Sequence, residues 1–554
     1  GALSPGPAVL VALAVGAAAA AAWVRWPPAS KLLALLGVGV VLFPYMFLTS
    51  DPIERVVLGS GLASYPKVRS QTPVVVLILD ELPTTTLLDD RLDIDAKRFP
   101  NFARLARSST WYRRATTVAD STTYAVPAIL TGCFPSGKRY PVLAEYPCNL
   151  FTLLGGSYRL VSQESLTRMC PDRSGHTGEG FVERVTSLLG EVGLVSLRVL
   201  LPRDWLEDVP QVAETWQDFL PQDERPRGRR AFRSKARVFL DFVEEVEDPD
   251  RPTLFFLHSL LPHIPYVYLP DGRAYAAGDG KELPGMPAYE LWGPEDFLVA
   301  QGYQRHMLQS LFVDRLLGKL LDRLEATGLY DRCLLVVVAD HGVSFRPNDG
   351  RRLVTDRNMN DLMPVPLFIK EPGQREGRVD DAPAQVIDVL PTIADSLGIP
   401  LNWKMDGQSL RRPLTRTSLR IYDDSNRPRE TPANSPLLEK GLLYKSQRFP
   451  PGKGFYSLQA RPDLVGRLPQ GAPLRARFEH PERFRVGAGQ EFLPCWVRGT
   501  VEGRPPAVAV AVNGVIRATV PTFLTPDGKR RFSAMVPPEA FGEGDNRVEA
   551  YECP

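Results

Sequence analysis

The sequence predicts an α/β protein with a doubly wound sheet, and two patterns support that prediction. Four short runs of β-branched and aromatic residues each end in polar or charged residues, at 72–83, 251–266, 333–342 and 364–373. Runs that are apolar on both faces are typical of buried parallel strands. Stretches of helical period lie between them, and the longest, 304–328, ends in glycine. Strands that alternate with helices favour a doubly wound sheet, whose site lies at the carboxyl ends of the strands.

Two apolar segments open the chain, at 7–24 and 32–48, and each is long enough to cross a bilayer as a helix. We interpret residues 1–50 as a transmembrane hairpin and 51–71 as a linker. The short loop between the spans carries an arginine and a lysine. The positive-inside rule therefore predicts a multi-pass protein of the cell membrane with its large C-terminal part on the extracytoplasmic side. The alternatives are a signal peptide for the first segment and a buried core helix for the second.

Acidic residues and histidines stand where the predicted strands end. They are Asp80, Glu81, His258, His263, Asp340 and His341. Two carboxylates at a strand end repel each other unless a cation neutralises them. Asp with His suits a divalent ion, zinc or manganese first and calcium as a further option. Each motif alone also fits a helix cap, an exposed turn or a structural histidine, but three of the six histidines fall here and favour a metal site.

The pattern changes near residue 400, which we take as the end of a catalytic domain at 72–400. Residues 401–471 are rich in Arg, Pro and Ser and predict a wrapping segment or a linker. Residues 472–554 show alternating strands, with Asn513-Gly514 between runs of valine as a strong hairpin signal. We expect a β-sandwich there.

Six cysteines fit an exported protein with a few disulfides. Proximity along the chain favours a pairing among Cys133, Cys148 and Cys170, and a second between Cys495 and Cys553. Cys333 precedes an apolar strand and is expected to be a buried free thiol.

A cluster of hydroxyl residues, Ser121, Thr122 and Thr123, opens an apolar helix. It fits a helix cap, but it also fits a nucleophile. A divalent ion beside a Ser or Thr lowers the pKa of the alcohol, and the start of a helix offers N–H groups to an anion. That pairing suits phosphoryl or sulfuryl transfer.

The order of these motifs resembles the alkaline phosphatase superfamily, in particular its sulfatase-like branch and the membrane-anchored phosphoethanolamine and glycerophosphate transferases of bacterial envelopes. The resemblance covers residues 72–400 through "LDELP", "AVPAILTGCFP", "PHIPY", "VVVADHG" and "VPLFIKEPG", in family order. It implies an alkaline-phosphatase-like sheet in the catalytic domain. The N-terminal transmembrane helices and the C-terminal β-sandwich would be additions to it.

The resemblance also selects one hydroxyl. In sulfatases the modified Cys or Ser lies ten residues before the Gly of "LTG", here Gly132. In the phosphoethanolamine transferases the nucleophilic Thr lies five residues before a Pro, here Pro127. Both spacings select Thr122. The implied metal ligands are Asp80, Glu81, Thr122, Asp340 and His341. His263 is implied to contact substrate or metal, or to protonate the leaving group, and His258 is a further candidate for substrate binding.

The sequence departs from the family in three places. "TTYAV" lacks both the Cys or Ser and the following Arg that sulfatases need for oxidation to formylglycine, so sulfate ester hydrolysis is disfavoured. "DHGVSFRPNDGRR" lacks the Glu and the later His that many members have, which puts a second metal in doubt. Arg351, Arg352 and Arg357 are candidates for phosphate clamps in their place, and a solvated basic loop is the alternative.

These observations predict a metal-dependent phosphotransferase that works through a phosphothreonine. The expected donor is a membrane phospholipid, and the acceptor an envelope glycan or lipid. A phosphodiesterase or phosphatase, a catalytically silent envelope scaffold and a sulfatase with an unmodified Thr are the alternatives. With 66 basic and 64 acidic residues, the overall charge gives no indication of a nucleic-acid partner. The oligomeric state is left open.

Overall fold

The computed structural model describes residues 67–171, 230–276, 283–288, 290–401, 403–450, 453–525 and 527–553, together with residues 14–18, 20, 21, 25, 42, 45 and 46. The two predicted membrane spans lie almost wholly outside the described residues, as does most of the predicted linker. The few described positions between 14 and 46 are helical and exposed. Within the described part of the chain, no helix combines the length and the apolar character that a membrane span requires.

The chain divides into two compact units. The smaller comprises 1–64, 142–147 and 168–225, and its described residues include a parallel bridge between Val142 and Arg168. The larger unit holds every strand and helix named below.

A seven-stranded sheet forms the centre of the larger unit. Its strands are β1 (Val74–Asp80), β2 (Thr110–Tyr112), β3 (Arg159–Gln163), β4 (Thr253–Pro262), β5 (Leu334–Ala339), β6 (Leu367–Lys370) and β7 (Arg378–Asp380). They lie in the order β3-β4-β1-β5-β6-β2-β7. The central strands β4, β1 and β5 are parallel and buried along their whole length, which explains why their sequences are apolar on both faces.

Helices flank the sheet and the loops that follow its strands. They are α1 (Thr84–Leu87), α2 (Pro100–Ala106), α3 (Thr122–Thr131), α4 (Leu150–Leu154), α5 (Arg230–Glu245), α6 (Asp296–Ala326), α7 (Met359–Leu362), α8 (Val389–Ser396) and α9 (Leu437–Arg448). Short 3-10 helices cover Val386–Asp388, Phe455–Ser457, Pro462–Leu464, Pro481–Phe484 and Pro538–Ala540. The predicted helical stretch 304–328 overlaps α6. Gly328 follows that helix with a φ of 67°, the left-handed conformation that ends many helices.

One apolar run does not have the expected direction. Strand β6 is antiparallel to both of its neighbours, β5 and β2, so the sheet is mixed and the prediction of a parallel strand at 364–373 is wrong. Burial gives a central strand an apolar sequence whatever its direction. A parallel neighbour needs a crossover, usually through a long helix. The segment 340–366 contains only the short α7, so the chain re-enters the sheet at the edge that it left.

The C-terminal part folds as two small packed sheets. One contains β10 (Ala476–Phe478), β12 (Trp496–Val501), β15 (Phe523–Leu524) and β16 (Arg530–Met535), and the other β13 (Ala507–Val512), β14 (Val515–Pro521) and β18 (Val548–Glu552). Two strand pairs accompany them, β8 (Ser418–Tyr422) with β9 (Pro428–Pro432), and β11 (Arg485–Val486) with β17 (Gly544–Asp545). The predicted hairpin joins β13 to β14, with φ values of 53° at Asn513 and 79° at Gly514.

All six cysteines are free thiols, so the predicted disulfides are wrong. Cys495 lies in the core between the two small sheets, whereas Cys553 packs with Ala509 and Ala511 in a separate cluster. The three-stranded sheet separates these two sulfurs. Cys333 is buried as expected.

Candidate active site

The ends of two neighbouring parallel strands bring acidic residues together. Asp80 closes β1, at a register shift against β4, and Asp340 directly follows β5. Glu81 comes next after Asp80 with a φ of 63°, a left-handed conformation that costs energy in a residue other than glycine. Such strain is common at functional sites. The predicted strand ends therefore meet at one edge of the sheet.

A cluster at this edge has the composition and spacing of a metal site. Asp80, Asp340 and His341 are fully buried, and each offers a ligand atom within 4.8 Å of the others. His341 Nδ1 lies 2.8 Å from the Gly342 carbonyl, which can only accept, so Nδ1 carries the proton. The lone pair of Nε2 then faces the cluster, 3.6 Å from Asp340 Oδ2. Fixing the tautomer in this way is a common support for a metal-binding histidine.

The electrostatics of the cluster fit a divalent cation. Burial, and after it the neighbouring Asp340 and Glu81, raises the pKa of the Asp80 carboxyl well above its usual range. Burial also raises the pKa of Asp340, to about 7. One oxygen of each, Oδ2, has no hydrogen-bond partner among the described residues. A divalent ion would satisfy both oxygens and offset the repulsion between the carboxylates.

Of the three hydroxyls at the start of α3, Thr122 reaches this cluster. Its Oγ1 lies 3.2 Å from His341 Nε2 and 3.5 Å from Asp80 Oδ1, and the residue is only 3% exposed. Ser121 is the residue before the helix, but its side chain forms no capping hydrogen bond. Its hydroxyl lies 3.4 Å from that of Thr123, which is exposed. Position therefore separates Thr122 from its neighbours.

Glu81 faces an arginine that the sequence proposed as a phosphate clamp. Arg351 donates to both oxygens of Glu81, at 2.6 and 2.8 Å, and to both oxygens of Glu290, at 2.8 and 2.9 Å. The arginine is fully buried, so its guanidinium is not available to substrate, and the phosphate-clamp prediction for Arg351 is wrong. Burial raises the pKa of Glu81, but Arg351 and then His263 outweigh it and hold that pKa well below its usual range.

Arg352 and His263 form the more open side of the site. Their side chains are 18% and 22% exposed, and Arg352 lies within 3.3 Å of His263 Nε2. His263 Nδ1 donates to the Ile264 carbonyl at 2.6 Å, so Nε2 is the acceptor nitrogen in the neutral ring. Asp80, Glu81 and His263 also form a second group with metal-ligand spacing. The Arg351 guanidinium already supplies a positive charge there.

The structure places the other two predicted residues away from the cluster. Arg357 is 64% exposed and lies 3.9 Å from Asp349, so it belongs to the solvated loop that was the alternative. His258 pairs in register with Ile78, two residues before the end of β1 and thus about 7 Å below the edge. Neither of the two groups with metal-ligand spacing includes it. Its predicted contact with substrate stays a prediction.

Three contacts at the site were missed in the sequence. Glu290 binds Arg351 across 61 residues of chain, a distance at which sequence carries no pairing signal. Lys235 donates to the Ile264 carbonyl at 2.8 Å, but a lysine on an amphipathic helix ordinarily faces solvent. His306 donates through Nε2 to the Glu81 carbonyl at 2.9 Å. A histidine on the apolar face of the predicted helix 304–328 was the one usable signal.

Known proteins resemble the chain over this region. The family model for Sulfatase matches residues 73–399, more than half of the chain. An ulvan-active sulfatase of Formosa agariphila is 26% identical over 174 residues, 30% of this chain and 33% of that protein. A lipoteichoic acid synthase of Staphylococcus saprophyticus is 33% identical over 161 residues, 25% of this chain and 24% of that protein. The chain thus spans a third or less of the length of these relatives.

Among solved structures, a phosphonate monoester hydrolase, SpPMH, from Silicibacter pomeroyi matches with a TM-score of 0.40 and 20% identity, covering 63% of this chain and 79% of that one. The domain-wide match to the family model decides the assignment. The chain belongs to the sulfatase family and is an enzyme of the alkaline phosphatase superfamily.

Proposed function

We propose that the chain transfers a phosphoethanolamine- or phosphoglycerol-type group from a membrane phospholipid to an envelope glycan or lipid, through a phosphothreonine at Thr122. The observation that supports this best is the position of the Thr122 hydroxyl. It lies 3.2 Å from His341 Nε2, beside the candidate metal-binding cluster of Asp80, Asp340 and His341. A divalent ion held by Asp80, Asp340 and His341 would act as a Lewis acid that lowers the pKa of this hydroxyl. Zinc and manganese suit these ligands best.

The transfer needs two displacements at phosphorus. In the first, the Thr122 oxygen bonds to phosphorus and the bond to the diacylglycerol oxygen breaks. The hydroxyl proton passes to that leaving oxygen. In the second, an acceptor hydroxyl attacks the same phosphorus, and its proton returns to the Thr122 oxygen. Backbone N–H groups at the start of α3, which lack partners within the helix, can bind the phosphoryl oxygens. Arg352 pairs with Glu290 at 2.8 Å, but its side chain is 18% exposed on the open side and can contact the same oxygens.

The nucleophile favours phosphoryl over sulfuryl transfer. Formylglycine is an aldehyde, which forms when a Cys or Ser is oxidised at a Cβ that carries two hydrogens. The Cβ of Thr122 carries a methyl group, so the same oxidation would give a ketone. A plain alcohol that attacks phosphorus needs no such conversion.

We also propose that the N-terminal apolar segments anchor the enzyme in the cell membrane, with the catalytic part outside and within reach of lipid headgroups. Cys148 is exposed and Cys333 is buried, which allows a test in intact cells. A thiol reagent that cannot cross the membrane should label Cys148 and leave Cys333 unlabelled. Labelling of Cys148 only after lysis would place the catalytic part inside and overturn this orientation.

Intact-protein mass spectrometry tests the reaction. The full chain, loaded with manganese or zinc, is incubated with phosphatidylethanolamine or phosphatidylglycerol in micelles. We expect a mass increase that equals the transferred headgroup phosphate, located on Thr122. Thr122→Ala should abolish it, and Thr123→Ala, which removes the exposed neighbouring hydroxyl, should retain it. A chelator should abolish it in the unmodified chain.

Two results would overturn the proposal in different ways. An adduct that is discharged to water, with envelope glycan and lipid acceptors present, would make the protein a phosphodiesterase that uses the same residues. Metal-loaded protein that forms no adduct with either lipid would leave the envelope scaffold as the better account.

A further inference from the structure

A cationic groove lies on the C-terminal β-sandwich, within the larger unit. Its volume is about 960 Å³. The charged side chains along it are Arg475, Arg477, Arg504, Lys529, Arg530 and Glu502. The lining thus has five cations and one carboxylate, and one of the cations, Lys529, pairs with Asp527 beside the groove at 3.2 Å. Arg475 and Glu502 are 88% and 73% exposed and lie 3.8 Å apart, so this pair is weak and leaves both groups accessible.

A second concavity on the same part of the molecule has a different balance. It measures about 500 Å³, and its charged residues are Arg485, Arg547, Glu482 and Asp545. Two cations and two carboxylates cancel there. The positive charge of the first groove is therefore a local feature of that groove and not a general property of the sandwich.

The groove crosses the whole four-stranded sheet. Its lining includes residues of β10, β12, β16 and β15, which are successive neighbours in that sheet. Three steps between strands make a path of about 14 Å. This length accommodates several charged units of an extended chain. The cations lie along a path across the strands, which fits an extended polyanion.

The residue types in the lining indicate which class of polymer the groove would bind. No described residue along the groove is aromatic, so it offers no platform on which nucleic-acid bases would stack. Exposed guanidinium and ammonium groups bind phosphates and carboxylates, and their number suits repeated anionic groups.

The groove also has a fixed place relative to the catalytic part. Trp496, at the start of β12, stacks against the Arg305 guanidinium of α6 at 3.7 Å. Thr500 and Val501, at the other end of β12, line the groove, about 15 Å along the same strand. One strand thus contacts the catalytic part at one end and the groove at the other.

We propose that this groove binds an extended anionic glycan that carries phosphate or carboxylate groups, and that it holds the acceptor polymer of the enzyme. The role of the bound polymer as acceptor rests on the proposed function. The binding itself does not, because the groove is outside the catalytic cluster and is tested without turnover.

Binding to the full chain bearing Thr122→Ala tests the proposal. The probes are polygalacturonate for carboxylates, linear polyphosphate for phosphates, and uncharged dextran as the control polymer. We expect binding to one or both polyanions, weakening as salt is raised, and none to dextran. Replacing Arg475 and Arg477 together by serine should weaken binding at least about tenfold. The matched control is the pair Arg485→Ser and Arg547→Ser in the balanced concavity, which should bind like the parent.

The outcomes separate this inference from the proposed function. Equal losses in the groove and control variants, at unchanged unfolding temperature, would overturn the groove as the site. So would binding to vesicles of equal parts phosphatidylglycerol and phosphatidylcholine, or to a thymidine oligonucleotide, that exceeds binding to both polyanions. A phosphothreonine adduct without polymer binding would overturn only the proposal that the groove binds a polymer. Polymer binding without an adduct would overturn only the proposal that the protein is a transferase.

Discussion

At the residue scale, two glutamates hold one buried guanidinium from opposite sides. Glu81 and Glu290 both have left-handed backbone conformations, with φ of 63° and 59°, and both direct their carboxylates at Arg351. A buried ion pair gains little over an apolar packing of equal volume, but losing one partner leaves a charge without compensation. The strained backbone at both glutamates fits a network that fixes the edge of the active site.

We expect Glu290→Gln to lower the free energy of unfolding by about 3 kcal/mol, because Arg351 then keeps only Glu81 as a charged partner. Urea denaturation measures the loss. Arg357→Gln is the control, since this exposed arginine should change stability by less than about 0.5 kcal/mol. If the two substitutions lowered the free energy of unfolding equally, the buried network would contribute no more to stability than an exposed ion pair.

The buried His258 should make the stability of the protein depend on pH. Burial, with a smaller effect of His341, lowers the pKa of His258 to about 3, and neither ring nitrogen has a partner among the described residues. The unfolded chain binds a proton as pH falls through about 6.5, but the folded chain does so only near 3. Stability from this group is therefore complete above pH 6.5 and is lost as pH falls toward 3, by up to about 1.4 kcal/mol per pH unit.

His258→Phe should remove that slope. Unfolding measured from pH 7 to pH 4 should show a flatter pH dependence than in the parent and a higher stability at pH 5. Headgroup transfer should be unchanged if His258 is only structural. Loss of transfer in a variant that is stably folded would instead support its predicted contact with substrate.

At the element scale, helix α9 ties the segment 401–471 to the loop that follows β1. Lys445 is buried, and its ammonium donates to the carbonyls of Thr85, Thr86 and Leu88 at 3.0, 3.1 and 2.6 Å. These carbonyls belong to α1 and the residue after it, just beyond Asp80 and Glu81. One side chain thus satisfies three backbone acceptors that have few other partners at the end of a short helix.

Lys445→Met keeps the length of the side chain but leaves the three carbonyls without their donor. We expect a loss of about 2 to 3 kcal/mol in the free energy of unfolding, measured by chemical denaturation. The exposed Lys440 on the same helix is the control, and Lys440→Met should be nearly neutral. A neutral Lys445→Met would mean that water replaces the ammonium without cost.

The elements also show what could be predicted from the sequence. The buried strands β1, β4 and β5 and the start of α3 were predictable, because apolar runs and their polar ends are local patterns. They bring Asp80, Thr122, Asp340 and His341 together as the motifs indicated. The direction of β6 was not predictable from its composition, because burial and not direction determines an apolar sequence.

At the scale of the whole molecule, the catalytic part and the β-sandwich share one apolar core. Tyr266, Trp292 and Phe345 of the first belong to the same buried cluster as Val510 and Phe532 of the second. Polar contacts continue the interface, since Gln301 of α6 donates to the Ser533 carbonyl at 2.8 Å. Such an interface favours joint unfolding of the two parts.

We expect a single thermal transition for both parts, monitored by fluorescence and calorimetry. Trp496→Ala removes the ring that stacks on Arg305 and should lower the midpoint of that one transition by several degrees, at a cost of about 3 kcal/mol. Leu468→Ala, at a side chain that is 73% exposed, should leave it unchanged. Two separate transitions in the parent protein would contradict the shared core.

Contacts between residues far apart in the sequence could not be predicted. Arg351 was assigned to substrate because its partner Glu290 lies 61 residues away in a stretch without a clear pattern. The groove of the sandwich gathers cations from positions 475 to 530, in and beside β10 and β16 and in the loop after β12, so no continuous run of charge in the sequence indicates it. Cysteines were paired by proximity in sequence, although a sheet separates Cys495 from Cys553.

The reversed strand β6 has a consequence for how such an enzyme can diverge. The chain between β5 and β6 leaves and re-enters the sheet at the same edge, so its length is not set by the thickness of a layer, unlike the route from β4 to β5 through α6. It carries Arg351 and Arg352, which pair with Glu81 at the candidate active site. Insertions or deletions there would reshape the entrance while the strands stay in place. A lineage could acquire a new substrate by lengthening this one stretch.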